Sequence, residues 1–210
     1  MGSSPTIPLI QISTDYVFDG KKSGAYLETD DVNPMSVYGK SKLEGEQRVR
    51  HVLEKHIILR TSWVFGVYAR NFVYTIVRLA KQKQELRVVN DQYGCPTSAV
   101  SIANAILRIC EKVSSGEKID WGVYHFCGTP ETNWFEFSKS IIDNTRRSQN
   151  YVLDNILPVP TSEYPTAAVR PQNSVLNCDK IYRHFGIEQQ PWIEGLRQMI
   201  EHPRFSESAS

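Results

Sequence analysis

No apolar run in the sequence approaches the roughly 20 residues of a membrane-spanning helix, and Met1-Gly2-Ser3-Ser4 lacks the basic and apolar regions of a signal peptide. A membrane partner is not expected, and the chain reads as cytoplasmic. Charge of one sign is missing too. Lys and Arg number 24 against 23 Asp and Glu, for a net charge of +1, and the basic residues are scattered, so nothing marks a nucleic-acid partner. Cys95, Cys110, Cys127 and Cys178 form no Cys-x-x-Cys pair, which argues against structural zinc and for buried reduced thiols; a metal requirement is not legible. The 12 glycines build no Gly-x-Gly-x-x-Gly or Gly-x-x-Gly-x-x-Gly, so the chain lacks the turn that seats a dinucleotide pyrophosphate at a helix N-terminus.

What is present suffices for a core: 210 residues, 40% hydrophobic and 22% charged, one domain or slightly more. Pro8 to Ile12 reads as a buried strand that delivers Ser13 and Thr14 at its end. A helix is expected from about Met35 to Glu54, with Pro34 just inside its start and an apolar stripe of Leu43, Val49, Val52 and Leu53. His56 to Arg60 is a continuous apolar run suited to a parallel sheet covered on both faces. Further helices are expected near Arg70–Gln84, Ser98–Val113, Trp134–Arg146, Cys178–Phe185 and Pro191–Glu201, and strands at Leu86–Val89 and Val123–Phe126. Asn133 is a candidate N-cap with Glu136 three residues on. His125 is expected to be a satisfied sheet histidine. Ser148 to Pro171 reads as an irregular, proline-bearing wall of a cleft.

Three residues carry candidate chemistry. Tyr38 and Lys42 stand four apart, which on a helix puts phenol and ammonium on one face, and Thr14 lies at a strand end. When hydride reaches a carbonyl carbon, charge grows on oxygen and a positioned acid must supply a proton. A free tyrosine titrates near 10, and a neighbouring cation lowers that value. Tyr38 is the candidate acid, Lys42 its cation, and Thr14 the hydrogen-bond partner of the substrate oxygen.

Four segments make the pattern specific: Ser13-Thr14-Asp15-Tyr16-Val17-Phe18-Asp19-Gly20, Arg60-Thr61-Ser62-Trp63-Val64-Phe65-Gly66, Asp91-Gln92-Tyr93-Gly94-Cys95-Pro96-Thr97 and Arg170-Pro171-Gln172-Asn173-Ser174-Val175-Leu176. Together with Tyr38-Gly39-Lys40-Ser41-Lys42 they resemble the extended short-chain dehydrogenase/reductase family, and within it the dTDP-4-dehydrorhamnose reductase branch, from about Pro8 to His202. The resemblance implies an α/β fold: the C-terminal part of a Rossmann-like, doubly wound parallel sheet plus a smaller mixed substrate-binding region. It implies reduction of the 4-keto group of a dTDP-linked 6-deoxy sugar with NADPH or NADH. Tyr38 and Lys42 would be catalytic and also hold the cofactor ribose, while Tyr16, Trp63, Gln92 and Arg170 would line the substrate pocket. Arg170 would offer its planar fork to phosphate oxygens.

The missing glycine turn sets the domain expectation: residues 1–6 as a tag or start remnant, 7–66 as the C-terminal part of a Rossmann-like domain, 67–205 as the substrate region with returning core elements, and 206–210 as a tail. On that reading the chain is a truncated reductase that binds no nicotinamide by itself and is inactive alone. The strand at Ile10 and Ile12 is then an apolar edge open to self-association, a homo-oligomer included. Two other readings remain: a non-catalytic regulatory subunit resembling the β subunit of methionine adenosyltransferase, against which the Trp63 pattern speaks, and another nucleotide-sugar epimerase or reductase.

Overall fold

The computed structural model describes residues 7–164 and 170–208; the expected start remnant at 1–6 and the last two residues of the expected tail lie outside them. Its first sheet has three parallel strands in the order β1 (Leu9–Thr14), β2 (His56–Thr61) and β7 (Gly122–His125). The central position falls to β2 because its apolar run has no polar face: Ile57, Ile58 and Leu59 are completely buried. β1 is an outer strand among the described residues, with Leu9 and Ile12 exposed and Ile10 partly buried. Thr14 pairs with Thr61 and Ser13 with Arg60, so the strands end together and open a crevice at their carboxyl edge, where sheets of this type bind ligands.

Helix α1 (Val37–Val52) lies against β1 and β2. Its cap is Ser36, whose hydroxyl accepts from the Gly39 N–H, so Pro34 precedes the helix instead of sitting inside it. The expected apolar stripe is not its buried face. Leu43, Val49 and Leu53 are only partly buried and Val52 is exposed, while the buried residues of α1 are Gly39 and Glu46.

Two further helices, α3 (Ala99–Ser114) and α5 (Asp179–Phe185), share a core with Ile57, Leu59 and Tyr124. A second core joins α2 (Phe72–Gln82), α4 (Trp134–Thr145) and α6 (Trp192–Glu201) to Leu86 and Val88 of β4 (Glu85–Val89). Asn133 caps α4 by accepting from the Glu136 N–H. Small ladders complete the region: β3 (Val64–Phe65) with β6 (Thr97–Ser98), and β5 (Tyr93–Gly94) with β8 (Thr132–Asn133).

Three further sequence expectations need correction. Ser148 to Pro171 is not wholly irregular, because Asn155–Val159 forms β9, parallel to β4; residues 165–169 lie outside the described ones. A strand formed there because Ile156 and Val159 can join the pleat beside Leu86 and Val89, and proline is tolerated on an edge strand. Cys110 is exposed, so three cysteines are buried instead of all of them. Helix α7 (Pro203–Ser208) continues into the stretch expected as a tail. Among the described residues no helix is long and apolar enough to cross a membrane, and no cluster of His, Cys, Asp and Glu is arranged to hold a metal ion.

Candidate active site

The crevice at the strand ends is a cavity of about 650 Å³, well inside the usual range for small-molecule sites. Thr14, Tyr16, Tyr38, Lys42, Trp63, Gln92 and Arg170 all line it, although they come from segments far apart in sequence.

One wall is polar. β1 ends at Thr14, and the chain turns through one turn of 3-10 helix at Asp15–Val17 because the Thr14 hydroxyl accepts from the Tyr16 N–H at 3.2 Å. The same hydroxyl donates to Asp15 Oδ1 at 2.9 Å. Asp15 is buried, its Oδ2 has no hydrogen-bond partner among the described residues, and burial raises its carboxyl to about 6 against the opposing hydrogen bonds from Ser174 and Thr14. A protonated Asp15 can donate back to Thr14, and that frees the Thr14 hydrogen to face the cleft.

Tyr38 is half in solvent, 54% exposed, and its ring meets the edge of Tyr16 at 5.9 Å and 81°. Burial and then the Asp15 charge raise the Tyr16 phenol above its ordinary value, which leaves Tyr16 a neutral lining group. Lys42 Nζ donates to the Ile12 carbonyl at 2.7 Å, so the ammonium is tied to the last turn of β1, beside Thr14. Gly39, between the two, is required by a close approach: a Cβ there would lie 2.2 Å from the Tyr16 carbonyl oxygen.

The facing wall is aromatic. Trp63 has φ 47°, a left-handed conformation unusual for a bulky residue, and its indole stacks on Trp134 at 3.5 Å and 7°. Phe72 packs on Trp134 at 4.4 Å, and the Arg170 guanidinium lies 5.9 Å from the Trp134 ring centre. Gly94 leaves room for this arrangement, since a Cβ there would fall 2.4 Å from the Trp63 ring. Gln92 is buried, and its amide donates to Thr161 Oγ1 at 3.1 Å. Thr161 in turn donates to Asp91 Oδ1 at 2.6 Å, so the loop 91–97 is fastened to the short turn at Thr161–Glu163.

Sequence reasoning missed Asp15, Trp134 and Glu46. Asp15 lies within the segment Ser13–Gly20 with no local signal of its burial, and Trp134 carries only the signal of a helix start. Glu46 has a legible signal, because it follows Lys42 by the same four residues that separate Lys42 from Tyr38. His125 lies in a strand as expected but is only half satisfied, with Nδ1 3.1 Å from the Tyr26 carbonyl and the buried Nε2 without a partner among the described residues. Burial depresses it to about 3, with the Arg60 charge the next cause.

The described residues do not fit the pyrophosphate of a dinucleotide. No glycine turn follows β1, and the turn that does follow it places the buried Asp15 carboxyl there, which repels phosphate when ionised.

Comparison with known proteins points to one family. A dTDP-4-dehydrorhamnose reductase of Aggregatibacter actinomycetemcomitans is 46% identical over 194 residues, covering 91% of this chain and 65% of the relative. A dTDP-4-dehydrorhamnose reductase crystal structure from Clostridium acetobutylicum superposes with a TM-score of 0.83 at 37% identity, over 92% of this chain and 65% of that one. The Bacillus anthracis enzyme of that name, solved in complex with NADP, gives 0.80 at 38% identity, over 91% of this chain and 64% of that one. The chain thus spans about two thirds of the length of the relatives it matches. Both solved relatives share the Rossmann-like α/β arrangement with parallel strands. The family model described as the RmlD substrate binding domain matches residues 3–205, and the chain belongs to that family.

Proposed function

We propose that this chain is the sugar-nucleotide side of a reductase acting on a dTDP-linked 4-keto-6-deoxy hexose. The observation that carries the reading is the convergence of Thr14, Tyr38 and Lys42 on one wall of a cavity whose other wall holds Trp63, Trp134 and Arg170. The aromatic wall and the guanidinium suit a sugar and a diphosphate. On the polar wall, Thr14 hydrogen-bonds the ketone oxygen, Tyr38 delivers the proton as charge grows there, and Lys42 holds positive charge beside β1. The hydride would be supplied by a nicotinamide dinucleotide, NADPH or NADH.

Binding is the deciding measurement, because the described residues suit the sugar nucleotide and not the dinucleotide. Calorimetric titration with a dTDP-linked 6-deoxy sugar should give micromolar affinity, weakened by about 2 kcal/mol in Arg170→Ala, as for loss of a charge-assisted contact. Titration with NADPH or NADH should give no measurable heat of binding. A chain that ignores the sugar nucleotide overturns the substrate class, and one that takes up NADPH at micromolar concentration overturns the division of labour. In an intact reductase context that supplies a dinucleotide site, Tyr38→Phe should lower turnover by about 10² to 10⁴ while sugar-nucleotide affinity is unchanged.

A further inference from the structure

We infer that Glu46 is a positioning residue of this site: with Arg60 and Ser13 it anchors α1 so that Lys42 and Tyr38 face the end of β1. This rests on the reading of Tyr38 and Lys42 given above. The helix that carries them buries little apolar surface, with Leu43 partly buried against the core around Ile57 and Tyr124. Of its 16 residues the buried ones are Gly39 and Glu46, and Val37 and Val52 stand 86% and 71% exposed. A helix normally docks through an apolar stripe, and α1 docks through a carboxylate.

Both carboxylate oxygens of the anchor are engaged, while Arg60 Nη1 is buried without a hydrogen-bond partner among the described residues. Arg60, on the central strand β2, donates from Nη2 to Glu46 Oε2 at 2.6 Å and from Nε to Glu46 Oε1 at 3.0 Å, a bidentate pair with side chains 3% and 1% exposed. The Ser13 hydroxyl donates to Glu46 Oε1 as well. Ser13 and Arg60 are register partners across β1 and β2, so the carboxylate joins both strands to the helix at one point. The Arg60 guanidinium is fixed in turn over the Phe18 ring at 5.1 Å.

Geometry turns this anchor into a device for the site. Residues 38, 42 and 46 follow one another at four-residue spacing, one stripe of the helix. Lys42 lies one turn from Glu46, and Gly39 fixes the next turn against the Tyr16 carbonyl. Two contacts, one steric and one ionic, thus bracket the lysine that reaches the Ile12 carbonyl. A bidentate ion pair has one good geometry, unlike an apolar contact that can slide. Replacing such a pair by hydrophobic residues often preserves stability, so position and stability can be separated by experiment.

The test uses Glu46→Met combined with Arg60→Met, which removes both charges and keeps the volume, and Glu46→Asp, which keeps the charge and draws it back by one methylene. Both proteins are compared with wild type in three measurements: amide hydrogen exchange, the NMR ring resonances of Tyr38, and calorimetric affinity for dTDP. In the double variant the amides over 37–46 should exchange about 10-fold faster or more, while those of β2 and α3 keep their protection. The Tyr38 ring signals, held by the edge contact with Tyr16, should move towards those of a free tyrosine. Affinity for dTDP on the aromatic wall should change by less than about two-fold. Glu46→Asp should show the same displacement to a smaller degree, and it decides the matter if the double variant does not fold. Native exchange and native Tyr38 signals in the folded variants overturn the anchor. So does a uniform loss of protection throughout the molecule, which would make the pair a general stabiliser. Failure of wild-type protein to bind dTDP would strike the proposed substrate, while the exchange and ring measurements would still decide the role of Glu46.

Discussion

On one side of the cleft α1 buries a glycine and a glutamate; on the other α4 buries Phe137, Ile141 and Ile142 against α2 and α6. The two walls meet the same substrate space with opposite means of support. Apolar packing is strong and non-directional, and it tolerates swaps that conserve volume. Buried ion pairs such as Glu46–Arg60 often add little net stability, and the inference drawn above is that this one sets the position of α1. On the proposed function, the wall with Tyr38 and Lys42 has to place donor atoms, whereas the wall with Trp63 and Trp134 has to offer flat surface. The support on each side matches that need.

The largest expected effect breaks the apolar wall. Phe137 is completely buried beneath Phe65, Phe72 and Trp192, and Phe137→Ala should cost about 3–5 kcal/mol in denaturant unfolding. The loss should be the same at neutral and mildly acidic pH, since no titrating group is involved. A loss that changes with pH would mean that the two walls are not supported independently.

A somewhat smaller effect belongs to the polar wall and should depend on pH. Burial raises Asp15 from an ordinary 3.8 to about 6, so the folded state holds its proton more tightly than the unfolded state. Its contribution to stability is complete below about 3.8 and is lost as the pH rises through about 6. Asp15→Asn, which cannot ionise, should therefore match wild type in acid and exceed it by about 3 kcal/mol above the upper value. His125, depressed to about 3, works in the opposite direction: its contribution is present above the ordinary histidine range and lost as pH falls. It is common to both proteins and cancels in the difference. Urea unfolding of the pair across pH 4 to 8 measures the gap, and a constant gap would show that Asp15 is not held in this state.

The smallest effect sharpens the comparison through the helix caps. Ser36 caps α1 and Asn133 caps α4 by the same kind of side-chain bond, and each change to alanine should cost about 1 kcal/mol. The consequences should differ in place. Asn133→Ala should leave α4 protected, because its core persists, whereas Ser36→Ala should speed amide exchange through the first turns of α1, which lack apolar support. Equal local exchange in the two helices would remove the contrast.

Much of this molecule was decided by its linear pattern. A short continuous apolar run bounded by polar residues marked β2; four-residue spacing put Tyr38 and Lys42 on one helical face; Asn133 and Glu136 marked a helix start; Thr14 and Trp63 were legible at strand ends, whereas Gln92 and Arg170 were legible only through the family resemblance. What the pattern could not decide was which polar groups would be driven inside. A glutamate on an otherwise ordinary helix reads as a solvated residue until a parallel register sets Ser13 beside Arg60 and a carboxylate becomes their shared partner. Asp15 becomes a buried acid only when the 3-10 turn folds it under the crevice, and Trp134 joins the site only when α4 packs it against Trp63. Burial and pairing are relations between distant parts of the chain, so they follow from tertiary structure, while periodicity and capping are local and follow from sequence.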